Sequence, residues 1–246
     1  MHKLTIVIPT YNEADNLPLL ATALWELAEL DISIIVVDDA SPDGTGAIAD
    51  QLEKEHPDRF EVIHREGKQG LGTAYITGFK RALNSDAPVI GQMDADFSHS
   101  PDYIPEFMST LPDCDAVIGS RYVPGGRLDE RWGAGRVLLS WFGNFYARTI
   151  LNMHIRDATG GFRIWKRATL AGMPLDRIRS NGYVFQVEMA YVAQKLGYKL
   201  VEMPIYFEDR RIGQSKMSFR IQVEAALRVW QVLLMHRHIS PVDRNP

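Results

Sequence analysis

This chain of 246 residues has almost nothing with which to cross-link itself, since Cys114 is its single cysteine. One thiol excludes an internal disulfide framework and fits a reducing compartment. A small buried core residue, rather than a nucleophile, is the ordinary reading of such a cysteine. The chain also lacks a run of about 18 uniformly apolar residues, the length that spans a bilayer. The best candidate, residues 137–153, is interrupted by Asn144, Arg148 and Asn152. Met1 leads directly into a strand-like run, without the basic region and apolar stretch of a signal peptide. The expectation is a cytoplasmic protein, peripheral on the cytoplasmic face of a membrane. Positive charge is not in excess: the formal net charge is −4, which argues against nucleic acid as a partner. Internal repeats and low-complexity tracts are absent too.

A dinucleotide fingerprint is missing as well. The glycine-rich stretch Gly70-Leu71-Gly72-Thr73-Ala74-Tyr75-Ile76-Thr77-Gly78 has Tyr75 where the third glycine would stand, and it does not follow the first strand. That excludes a nicotinamide dehydrogenase. A tight turn followed by a closely packed helix explains these glycines better.

What is present is an alternation. Short apolar runs rich in Val and Ile occupy residues 4–9, 32–39, 60–64, 88–94 and 115–119, several of them ending in acids. Continuous hydrophobicity of this kind predicts strands buried on both faces, as in a parallel sheet. Helical patterns fill the gaps at residues 16–30, 44–56, 72–84 and 101–111, with Asp43-Gly44-Thr45 and Ser100-Pro101 as helix starts. Together they predict a doubly wound α/β sheet. The second half is less regular. A Gly-, Pro- and Arg-rich loop is expected at residues 122–135, helices at 136–152 and 184–196, and a strand at 200–207. A basic amphipathic helix at 219–238 has Ile221, Leu227, Trp230 and Leu234 among its apolar positions.

Ligands of open α/β sheets bind beyond the carboxyl ends of the strands, and the acids fall there. Asp38 and Asp39 close the second strand, where a carboxylate can accept hydrogen bonds from a ribose or base. Asp94-Ala95-Asp96 close a later one, and the i, i+2 spacing aims both side chains the same way if the chain stays extended. Two carboxylates with a diphosphate make the oxygen set that Mg2+ or Mn2+ favours. Either pair alone reads as caps for turns or helices. Both together at strand ends favour a metal-nucleotide site.

These residues, in this order, resemble the family 2 glycosyltransferases and, within them, the dolichol-phosphate (polyprenol-phosphate) mannose synthases of the short type. The matching text is Pro9-Thr10-Tyr11-Asn12-Glu13, residues 37–45, residues 70–75, and Met93-Asp94-Ala95-Asp96-Phe97-Ser98-His99. Further on come residues 119–122, 157–163, 182–186 and 209–216. The resemblance implies a GT-A-type fold, with residues 1–218 as one catalytic domain and 219–246 as a C-terminal amphipathic helix and tail. It implies that Pro9, Tyr11, Glu13, Val37 and Asp39 hold the nucleoside and that Asp94, Ala95 and Asp96 line the diphosphate. Asp94, Asp96 and Ser98 would ligate Mg2+ or Mn2+, although Ser98 stands where some relatives have Gln, and a hydroxyl is the weaker ligand. Arg210 and Lys216 match donor-contacting bases, and Arg121, Arg136 and Ser140 match positions that contact an acceptor phosphate.

The implied reaction is inverting transfer of mannose from GDP-mannose to a polyprenyl phosphate, at a membrane surface and with a membrane-protein partner as a further expectation. The catalytic groups would be Asp94, Asp96, Arg121, Arg210 and Lys216. UDP-glucose or another UDP-sugar with undecaprenyl phosphate is an alternative on the same scaffold. A saccharide hydroxyl as acceptor would call for a carboxylate base beside it, and a nucleotide-sugar sensor would have no need of the acceptor-side residues. The aromatic stripe of residues 136–146 reads by itself as core packing, and taken together with the basic helix at 219–238 as a face for the membrane interface.

Overall fold

The computed structural model describes residues 2–209 and 219–245. Nine strands and eight helices follow in chain order among them: β1 (His2–Thr10), α1 (Leu17–Trp25), β2 (Leu30–Asp38), α2 (Thr45–Glu55), β3 (Phe60–His64), α3 (Leu71–Ala82), β4 (Val89–Gln92), α4 (Ile104–Thr110), β5 (Ala116–Ser120), β6 (Arg127–Leu128), α5 (Ala134–Leu151), β7 (Arg163–Lys166), α6 (Arg167–Ala171), α7 (Tyr183–Lys195), β8 (Leu200–Pro204), β9 (Tyr206–Phe207) and α8 (Phe219–His236). Seven strands form one sheet in the order β3-β2-β1-β4-β7-β5-β8. Strands β1 to β4 are parallel, and β7 alone runs against its neighbours β4 and β5.

The uninterrupted Ile/Val runs are explained by burial on both sides. Alternate residues of β1 and β2 (Ile6, Ile8, Ile34, Val36) meet α1, α2 and α4 through Leu20, Ala49 and Phe107. Their neighbours Val7, Ile35 and Val37 face α3 and α7 through Tyr75, Phe79 and Phe185. A third cluster joins α5, α7 and α8 through Ala147, Tyr191, Val229 and Val232. Cys114 is a buried core residue.

The glycines of α3 do what the turn-and-packing reading expects. Gly70 sits at φ +100° as the residue before the helix, a conformation costly for any side chain. A Cβ on Gly78 would stand 2.2 Å from Cγ1 of Val7, so the absence of a side chain lets α3 lie directly on β1.

Three expectations need correction. Residues 163–166 form an antiparallel strand that periodicity did not announce; Arg-Ile-Trp-Lys is too short and too polar at its ends to stand out. The 200–207 strand is two strands, because Pro204 has no N–H with which to continue the ladder. Its second part, β9, pairs with β6, inside the stretch expected to be a loop. Finally, the chain does not stay extended through Asp94–Asp96. It bends from Ala95 onward, and Phe97 takes a left-handed φ of 59°. The alternation argument for the two carboxylates therefore does not apply, although both still reach one cleft.

Candidate active site

The chain runs outward from β1 to β2 and β3, then returns to place β4 on the other side of β1. That reversal opens a crevice at the carboxyl ends of the strands. The crevice has two compartments that share Leu71, Asp94 and Tyr183.

The first, with a cavity volume of about 220 Å3, is lined by Pro9, Tyr11 and Glu13 from the end of β1, Asp39 beyond β2, and Asp94, Ala95 and Asp96 beyond β4. Seven expected donor-side residues are thus assembled at one place. Val37 is not among them: it is fully buried in the core and packs on α3 at Gly78. Asp38 is occupied internally, accepting from Thr10 Oγ1 at 3.0 Å and from the Ser41 backbone N–H at 3.1 Å.

Asp39 has a double duty. It accepts from the backbone N–H groups of Gln69 (3.2 Å) and Gly70 (3.1 Å) and pairs with buried Arg65. Arg65 in turn donates to Gly70 O and to Thr73 Oγ1. The carboxylate therefore holds the glycine turn against the cleft. Tyr75 donates to Asp94 Oδ1 at 3.1 Å. Burial, and then the nearby Asp94 charge, raise the Tyr75 pKa well above its ordinary value, so the phenol remains a donor. Asp96 Oδ1 accepts from the Ser98 backbone N–H at 3.1 Å, while Ser98 Oγ is buried with no hydrogen-bond partner.

The second compartment is lined by Ser98, His99, Arg121, Trp132, Arg136 and Gln186, among others. Arg121 lies at the end of β5 in a buried ion pair, with Nε and Nη2 each 2.7 Å from the Asp157 carboxylate and Nη2 2.8 Å from Thr159 Oγ1. Burial opposes both charges, but each partner outweighs it for the other: the Arg121 pKa is raised and the Asp157 pKa lowered. Arg136, in the first turn of α5, lies over the Trp132 ring at 3.6 Å and donates to Asp209 Oδ1 at 2.9 Å. Ser140 is one turn further along α5; it accepts from the Tyr122 hydroxyl at 2.8 Å and is not part of this wall. Asp94 is the only carboxylate lining this compartment among the described residues. Arg210 and Lys216 lie outside the described residues.

Several wall residues were not singled out from the sequence. Lys68 stands over the Tyr11 ring at 3.6 Å in the first compartment; it precedes the glycine turn, and its position was the available signal. Gly182 and Tyr183 belong to a motif quoted for the resemblance but given no role. They reach the wall because Asn181 accepts from the Gly72 N–H at 3.1 Å and because Glu188, buried in α7, accepts from the Ser180 N–H at 2.7 Å. Glu188 also pairs with His236 at the end of α8, 2.7 Å away. The C-terminal helix is thereby tied to the segment that closes the cleft.

This crevice joins an acid-lined half, suited to a cation and through it to the oxygens of an anion, to an arginine-lined half suited to a second anion. The family model for glycosyl transferase family 2 matches residues 5–171. The chain belongs to that family. It is 45% identical over 229 residues to an undecaprenyl-phosphate mannosyltransferase of Micrococcus luteus, covering 93% of each chain. It is 43% identical over 214 residues to a polyprenol monophosphomannose synthase of Mycolicibacterium smegmatis, covering 87% of this chain and 80% of that one. Among solved structures, a mannosyltransferase of Pyrobaculum calidifontis in complex with GDP-Man and Mn2+ superposes with a TM-score of 0.63 at 18% identity, over 98% of this chain and 66% of that one. A glucosyl-3-phosphoglycerate synthase of Mycobacterium tuberculosis superposes with the same TM-score at 17% identity, over 95% and 79%. The mostly parallel sheet with helices on both faces is thus the GT-A fold of this glycosyltransferase family.

The family fold also carries an exposed apolar face. Leu138 (65% exposed), Trp141, Phe142 and Phe145 on α5 lie outside the core, as do Leu227, Trp230 and Leu234 on α8. The two helices are joined by Trp230 Nε1 donating to the Tyr146 hydroxyl at 2.9 Å. No helix among the described residues is long and apolar enough to cross a membrane.

Proposed function

We propose that this glycosyltransferase moves mannose from GDP-mannose to a polyprenyl phosphate, with inversion, giving a β-linked polyprenyl-phosphate mannose. The observation that carries this reading is the junction at Asp94, where the acid-lined compartment meets one containing Arg121 and Arg136 with no second lining carboxylate among the described residues. The 43–45% identical relatives that bear mannosyltransferase names support the same sugar and lipid. A phosphate monoester is largely ionised near neutral pH and needs positioning rather than a base. Arginines suit that task through their forked donors, whereas a sugar hydroxyl would require a carboxylate beside it.

In this reading Pro9, Tyr11, Glu13 and Asp39 hold the nucleoside, and Arg210 and Lys216 act on the donor. Asp94 and Asp96 would hold Mg2+ or Mn2+, together with diphosphate oxygens. The buried, unpartnered Ser98 Oγ next to Asp96 fits an all-oxygen set of that kind. When bound, the cation stabilises charge that develops on the departing diphosphate. Arg121, fixed by Asp157, and Arg136 orient the acceptor phosphate for direct displacement at the anomeric carbon, without a covalent enzyme intermediate. The lipid tail would leave along α5 towards the exposed face of α5 and α8, placed on the cytoplasmic side of a membrane. Residues 1–218 make the transfer site, and 219–246 supply part of the membrane face, with a membrane-protein partner as a further element.

The test supplies purified protein with Mn2+ or Mg2+, a polyprenyl phosphate and labelled GDP-mannose or UDP-glucose in parallel. Label entering the lipid phase from GDP-mannose alone is the expected result. Label from UDP-glucose instead would overturn the donor, and net retention at the anomeric carbon would overturn the mechanism.

A further inference from the structure

The direction of the Gln186 side-chain amide follows from a series of hydrogen bonds that starts in the core. Trp165, fully buried in β7, has only a donor to offer, its Nε1–H. It donates to Gln92 Oε1 at 3.0 Å. With its oxygen so engaged, Gln92 turns its NH2 group the other way, and Nε2 donates to Gly161 O at 3.1 Å and to Gln186 Oε1 at 2.8 Å. Gln186 therefore keeps its oxygen on the protein side. Its own Nε2 is left buried without a hydrogen-bond partner. Flipping either amide would set donor against donor, so the tryptophan fixes both orientations.

Among the buried side-chain donors and acceptors left without a partner, this one is set apart by its fixed direction and by its place in the cleft, which together suggest what satisfies it. Gly161 has no Cβ. At the point where one would stand, Gln186 Nε2, Asp94 Oδ2 and His99 Cε1 are each 3.5 Å away. The donor of Gln186 and the acceptor of Asp94 thus face a common point beside a glycine, at the junction of the two compartments. A neutral amide donor at this junction, between the half proposed for the nucleotide and the half proposed for the acceptor phosphate, suits a hydroxyl of the sugar that passes between them. In the proposed reading the phosphates are met by charged groups, the cation at Asp94 and Asp96 on one side and Arg121 and Arg136 on the other.

We infer that Gln186 contacts the transferred sugar and helps determine its identity by donating from Nε2 to one of its hydroxyls, with Gln92 and Trp165 as positioning residues. This rests on the reading of the crevice as a nucleotide-sugar site. It goes beyond that reading in assigning sugar recognition to α7.

The experiment compares binding of GDP and GDP-mannose, each with Mn2+, by calorimetry for the wild-type chain, Gln186→Met and Gln92→Met. Transfer to polyprenyl phosphate is measured alongside. Expected is an unchanged affinity for GDP, with the extra affinity that mannose confers reduced about tenfold in Gln186→Met and partly in Gln92→Met. Equal loss of GDP and GDP-mannose binding, or no loss of either, would overturn the inference. Intact donor binding with a raised KM for polyprenyl phosphate would overturn it too, by assigning the amide to the acceptor. If Gln186→Met does not fold, the wild-type chain with monodeoxy GDP-mannose donors decides: one of them must bind about tenfold more weakly than GDP-mannose. A mannose increment that depends on Gln186, in a protein that transfers no mannose, would overturn the proposed reaction and leave this inference standing.

Discussion

At the scale of single residues, the cleft combines side chains held by the protein with side chains that have something left to give. Arg121 belongs mostly to the first kind, since its Nε and Nη2 are taken by Asp157 and Thr159. Replacing Asp157 by Asn leaves a buried guanidinium without its counter-charge, a change that costs about 3–5 kcal/mol. The pH dependence has a definite sign. The folded pKa of Asp157 is depressed, so its contribution is fully present above the unfolded value of about 3.9 and is lost as pH falls through the folded value. Denaturant unfolding should therefore show wild type well above Asp157→Asn at pH 7, with the gap closing towards pH 3; a gap that widens in acid would refute the assignment. Ser98 Oγ and Gln186 Nε2 belong to the second kind, and Asp96, which accepts from the Ser98 N–H, is the proposed cation ligand beside them. Asp96→Asn should keep the thermal midpoint close to that of wild type yet lower mannosyl transfer by about a hundredfold or more, because a developing negative charge loses a fixed stabilising partner. Chelation of divalent cations should reproduce that loss in wild type, with recovery on adding Mn2+ or Mg2+.

At the scale of elements, α5 links both proposed tasks. Its first turn carries Arg136 into the cleft, and the following turns expose Leu138, Trp141 and Phe142. An aromatic stripe at helical spacing would ordinarily pack inward. Here the inward-facing residues are Asn144, Ala147 and Leu151, and the large side chains are left outside. The apolar face continues onto α8, which contributes Leu227 and Leu234. Because Phe142 and Leu234 are more than half exposed, Phe142→Glu with Leu234→Glu should change unfolding free energy by no more than about 0.5 kcal/mol each. The same pair should reduce sedimentation with anionic lipid vesicles severalfold, since interfacial binding scales with buried apolar area. Undiminished sedimentation would remove this face from the membrane reading.

At the scale of the whole molecule, the C-terminal helix is part of the folded body rather than an appendage. Val229 and Val232 are buried against α5 and α7, and His236 closes on Glu188 in the middle of α7. Further along, Ile239 joins the core cluster that contains Phe185, and Arg244 donates to Leu196 O at 2.8 Å. Deleting residues 219–246 would expose Val187 and Tyr191 and leave buried Glu188 without His236. The truncated chain should lose cooperative thermal unfolding and bind a hydrophobic dye, as expected when an apolar core face is uncovered. A truncated chain that unfolds at the wild-type midpoint would show the helix to be dispensable for the fold.

The sequence by itself determined the alternation of strands and helices and most of the acid-lined half of the cleft. Those features are local: continuous Ile/Val runs report burial on both faces of a strand, and the acids of Asp39, Asp94 and Asp96 follow strand ends directly. Gly70 and Gly78 were legible for the same reason, since a turn and a close helix contact each require a missing side chain at one position. Only the tertiary structure decided where β7 inserts, because four residues between Asp94 and α7 carry no period of their own. It also decided that Val37 belongs to the core, that Lys68 lines the acid-lined half and Arg65 pairs with Asp39 behind it, and that the Gln186 amide nitrogen and Asp94 lie about one glycine Cβ position. Each of these depends on contacts between residues far apart in the chain, as Trp165, Gln92 and Gln186 are, and spacing along one segment cannot encode a direction that three separate segments fix together.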